Sequence, residues 1–148
     1  MFTRPTTDQI LRAVADDLAT VVLPDLTGEP VKVAVQMMIQ LLAGCAVRAA
    51  HETAWMAEEG AAIEAAVGGL DDPATRTALA AYRAAGTDLH LEAAAARYDQ
   101  AGEALGAAVE YAYRSGDAVL AGRLRQLLAV RSGHEMAIVG ALELVGRG

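Results

Sequence analysis

From Val31 to Ala66 the chain contains no proline, and its apolar residues recur at helical rather than alternating spacing. That one segment constrains the fold most. Val31, Val35, Met38, Leu42, Cys45, Ala49 and Met56 fall on one face of a helix, and Met37, Leu41, Arg48 and Trp55 form a second. An apolar arc this wide belongs to a helix that is central in a bundle or covered by another subunit. The remaining segments are punctuated as helices too. Thr6-Thr7-Asp8-Gln9 fits a capping box opening helix one, with Ile10, Leu11, Val14, Leu18, Val21 and Val22 on one face and Pro24 as its stop. Pro30 suits the first turn of helix two, which is expected over about 31–66 with a break near Gly60. Asp72-Pro73 caps helix three, and Gly86 ends it. Thr87 or Asp88 caps helix four, which Gly116 ends, and Asp117 caps helix five, with a kink expected at Ser132-Gly133. Helix five carries Val119, Leu120, Leu124, Leu127 and Leu128 on one side, then Met136, Ile138, Val139, Leu142 and Val145.

Composition closes off the alternatives. Alanine supplies 34 of 148 residues, hydrophobic residues 54% and aromatics only 4%. A disordered chain would not carry so much apolar surface, and a β-sandwich needs β-branched and aromatic residues in alternation. The expectation is an all-α bundle of about five helices with a long central apolar second helix, built as a single helical domain over 1–148. A net charge of −7 and a pI near 4.8 argue against nucleic acid as a partner. The longest uncharged run, Val33 to Val47, is short of a bilayer span, and no signal peptide is evident at the N-terminus, so no membrane and a cytoplasmic location are expected. Cys45, the single cysteine, excludes an intrachain disulfide and reads as an inert core thiol. The excess of Arg over Lys, with abundant Ala, Gly and Val, points to a high-GC bacterial genome.

The chain is poorly equipped for catalysis. His51, His90 and His134 are dispersed, no Glu-x-x-His or His-Glu-x-x-His occurs, and there is no phosphate-binding glycine loop. No catalytic residue, cofactor or metal is therefore expected. Association is the better-supplied function. Gln36, Gln40, His51 and Glu58 line one side of helix two, either as its solvated side or as a semi-polar patch at a subunit interface, with Trp55 and Arg48 beside it. A lone tryptophan is also a common core residue. Glu92, Asp99, Glu103 and Glu110 form a stripe on helix four, either a solvated face or a docking surface for a basic partner. On the same helix Leu91, Tyr98, Leu105 and Ala112 repeat every seven residues, each of the first three followed at three by Ala94, Ala101 and Ala108. Such a seam packs within a bundle or against a second copy. The partner-binding candidates are thus Gln36, Met37, Gln40, Leu41, Arg48, His51, Trp55, Glu92, Asp99, Glu103 and Glu110.

Arg4-Pro5-Thr6, a helix ending in Val22-Leu23-Pro24, the connector Leu26-Thr27-Gly28 and the apolar helix Val33 to Ala50 with Arg48 carry a resemblance over roughly residues 4–55. This portion resembles a small bacterial domain encoded beside aminoglycoside-phosphotransferase-like kinases and acyl-CoA dehydrogenases. One branch of that family is the accessory subunit of the kinase that phosphorylates 4-hydroxyacyl-CoA in levulinate catabolism. The resemblance implies a non-catalytic subunit that binds such a kinase. The alternative is a homo-oligomer, at least a dimer because the wide apolar arc of helix two needs cover, holding an apolar small molecule between helices.

Overall fold

A computed structural model describes residues 4–140 and, among them, contains helices and no strand. Helix α1 spans Thr7–Asp17, α2 Glu29–Val67, α3 Pro73–Ala84, α4 Leu91–Ser115 and α5 Ala118–Val139. This is the expected all-α bundle with one long apolar second helix. The chain divides into two compact units. One holds the residues up to Glu52 together with those from Gly133 onward; the other is Thr53–Ser132. Both α2 and α5 contribute a segment to each. Leu142 and Val145 lie outside the described residues.

In the N-terminal unit the Thr6 N–H donates to Gln9 Oε1 at 3.0 Å, one half of the capping box. Pro24 does not stop the first helical stretch. The chain passes into a π-helical turn over Leu18–Val22 and a last turn over Leu23–Asp25. Leu23 N–H reaches back five residues to the Leu18 carbonyl, and Thr20 Oγ1 donates to the Asp16 carbonyl at 2.7 Å. The widened turn lets Pro24 sit in the opening turn of the Leu23–Asp25 segment, where a missing N–H has no partner to lose.

The second unit has the conventional core. Ile63 and Val67 of α2, Leu79 and Tyr82 of α3, Leu105 of α4, and Leu120 and Leu124 of α5 are all buried together. Ala101, Ala104, Ala108 and Ala112 floor this core from α4, so the alanine seam packs within the chain and its small side chains let neighbouring backbones approach. The seam is not buried throughout: Leu91 at its start is 54% exposed. Gly60 makes a similar close approach, since a Cβ there would lie 2.8 Å from Tyr82 Oη. That need explains why the glycine sits inside an unbroken helix rather than ending it. Gly133 does not interrupt α5 either. At the other punctuation, Asp72 caps α3 by accepting from the Thr75 N–H at 2.9 Å, and the Asp117 carboxylate accepts from the Leu120 N–H at 2.9 Å. Gly86 and Gly116 take left-handed φ of 75° and 70°, where any side chain would be strained. Helix α4 starts later than expected. His90, with φ −62° and ψ 136°, is its N-cap, and Asp88 instead accepts from the His90 N–H to hold the preceding turn.

Candidate functional site: an uncovered apolar face

The N-terminal unit buries little. Among its described residues only Ala15, Val35 and Ala46 are buried. The face that the sequence assigns to the interior of helix one stands largely open, with Ile10, Val14 and Val21 all exposed. Both apolar faces of α2 are open as well: Val31 and Met38 on the first, Met37 and Leu41 on the second at 56% and 68%. Cys45 is exposed, a correction to its reading as a core thiol. Ala46, one residue on, takes the buried position instead, because residues adjacent on a helix point about 100° apart.

Four of the sequence candidates come together here. Met37, Gln40, Leu41 and Arg48 line a groove of about 420 Å³ with Gly44, Cys45, Ile138 and Val139. The last two come from α5 and carry no local signal of this role; only the chain's return brings them beside α2. Gly44 permits that approach, since a Cβ on it would lie 2.7 Å from the Ile138 carbonyl oxygen. Arg48, in the lining, pairs with Glu52 one helical turn on, at 3.2 Å. The groove is therefore apolar, with an amide and a paired guanidinium as its polar contributions. Gln36 is half-buried and His51 exposed on the same helix, outside the groove lining. Trp55 is half-buried and belongs to the second unit. Glu92, Asp99, Glu103 and Glu110 lie along α4, also in the second unit, outside the lining of both its groove between α4 and α5 and its pocket at Arg97.

By length and composition α2 is long and apolar enough to cross a membrane, and only 11% of its most apolar stretch is buried. Among the described residues no cluster of His, Cys, Asp and Glu is arranged to hold a metal ion.

No family model, curated protein or solved structure matches the chain.

Proposed function

We propose that this chain is a non-catalytic helical subunit that works by association, presenting the apolar face of α1 and α2 to a protein partner. The single observation behind this reading is the N-terminal unit's apolar surface, left in water around three small buried residues. Exposed large apolar side chains in this number mark an association site. A protein partner suits it better than a bilayer. Gln36 and Gln40 stand within the apolar stretch of α2, and the Arg48–Glu52 pair follows it, so the face has amides and a charge pair to match across an interface. The resemblance of residues 4–55 supplies the partner class: an aminoglycoside-phosphotransferase-like kinase acting on an acyl-CoA or similar hydroxylated molecule, the kinase bringing the nucleotide site and magnesium.

The experiment is co-purification of the full chain with a kinase encoded beside its gene, alongside a Met37→Lys, Leu41→Lys variant. Both residues are exposed, so the variant should melt close to the wild type while losing co-elution. Burying two unpaired ammonium groups at an interface would weaken binding by about a hundredfold or more. Absence of any co-purifying kinase would remove this reading. In that case the second reading stands, a homo-oligomer holding an apolar small molecule. It is favoured by a groove of about 500 Å³ between α4 and α5, which Val109, Tyr113, Ala121, Leu124 and Leu128 line. Sedimentation of the isolated chain would decide it, a dimer or larger being required.

A further inference from the structure

The second unit contains a buried donor without a partner, the Nε of the half-buried Arg97. Arg97, in the first third of α4, lies with its guanidinium carbon 4.3 Å from the centroid of the Tyr82 ring. That stacking orients the guanidinium plane but uses none of its N–H groups. Its Nε is buried without a hydrogen-bond partner, and among the described residues no carboxylate lies within 4.0 Å of its nitrogens. A buried donor left unpaired in a folded chain calls for a partner.

Arg97 lines a pocket of about 240 Å³ between α2, the α3–α4 connector and α4. Met56, Ala57, Leu89 and Ala94 give it apolar walls, and Thr53, Thr87, Tyr82 and Tyr98 complete the lining. The one carboxylate in the lining, Asp88, is engaged with the His90 N–H at 2.9 Å. We propose that this pocket binds a small monocarboxylate, its carboxylate on the Arg97 guanidinium and its short apolar chain against Met56, Ala57 and Leu89. A planar carboxylate offers two acceptors at the spacing of the guanidinium fork. The volume corresponds to about eight water molecules at ~30 Å³ each, which admits a chain of about four to six carbons. A phosphate dianion fits less well, because Asp88 and a chain of net charge −7 repel the second charge. This site is separate from the association face, and the two readings fail independently.

The test is titration of the full chain with sodium butanoate, sodium hexanoate and inorganic phosphate, by amide NMR and calorimetry. Butanoate or hexanoate should saturate one site per chain, with shifts centred on Met56, Leu89 and Arg97, and phosphate should not. Arg97→Met keeps an apolar stem over Tyr82 while removing the fork, and should weaken carboxylate binding about tenfold or more. Ala57→Leu, at an exposed position, should block the pocket by volume and keeps the test open if Arg97→Met fails to fold. Failure of both carboxylates to saturate at millimolar concentration would overturn the proposal. So would phosphate binding as tightly as butanoate, or carboxylate binding unchanged in a folded variant.

Discussion

Two residues show how sharply position decides chemistry in this chain. Gly60 and Gly106 both sit inside long helices, although of the two the sequence predicts a break only near Gly60. A Cβ at Gly60 would meet Tyr82 at 2.8 to 3.2 Å, and Tyr82 is only 2% exposed and held beneath Arg97. A Cβ at Gly106 would meet nothing within 4 Å. Gly60→Ala should therefore destabilise by about 1–3 kcal/mol through overpacking. Gly106→Ala should stabilise by about 0.5–1 kcal/mol, because alanine loses less backbone freedom on entering a helix. Urea melts of the two variants check both signs. Asp72 carries the second residue-level prediction. Hydrogen bonds from the Thr75 backbone and hydroxyl, with Arg114 at 3.3 Å, hold its carboxyl below the ordinary value near 3.8. A lowered folded-state value means that the unfolded chain binds the proton more readily. The stabilisation is thus whole above that ordinary value and disappears as the pH falls through the lowered one. Asp72→Asn should melt below the wild type at neutral pH, and the gap should close in acid.

At the scale of the element, α4 is the instructive case. Its seven-residue repeat is legible from Leu91 to Ala112, yet the repeat does not say where burial stops. Ala101 and Ala108 are fully buried, whereas Leu91, in the same register, is more than half exposed. Ala108→Leu should cost about 1–3 kcal/mol, since nothing around a fully buried alanine can yield to three more carbons. Leu91→Ala should stay within about 0.5 kcal/mol. Thermal melting of the pair would show whether the seam is intrachain core over its second half only. Helix α1 teaches the complementary lesson. A proline two residues after a run of valines reads as a stop, but a π turn moves the hydrogen-bond register by one and carries the helix to Asp25.

For the whole molecule, the contrast between the two units governs expected behaviour. The Thr53–Ser132 unit has a contiguous core containing a fully buried tyrosine; among the described residues of the other, three small ones are buried. Local stability follows buried apolar contacts, so amides of α1 and of Glu29–Glu52 should exchange with solvent faster than those of α3 and the second half of α4. Addition of the kinase proposed as partner should slow the first group and leave the second unchanged. Equal protection in both groups before partner is added would show that the N-terminal unit needs no cover.

What the sequence determined alone was local. Helical spacing, the capping residues Thr6, Asp72 and Asp117, and the glycines at 86 and 116 act through neighbours within a few positions, so they are readable in order along the chain. Four members of the groove, Met37, Gln40, Leu41 and Arg48, were readable for the same reason, being spaced along one helix. The tertiary structure decided the rest. A helical pattern shows that a face is apolar but not whether another element reaches it, which is why Cys45 and Met38 face water while Ala46 is buried. Ile138 beside Gly44, and Arg97 above Tyr82, are juxtapositions of residues far apart in the chain. No local periodicity encodes them, because they arise only when separate helices pack.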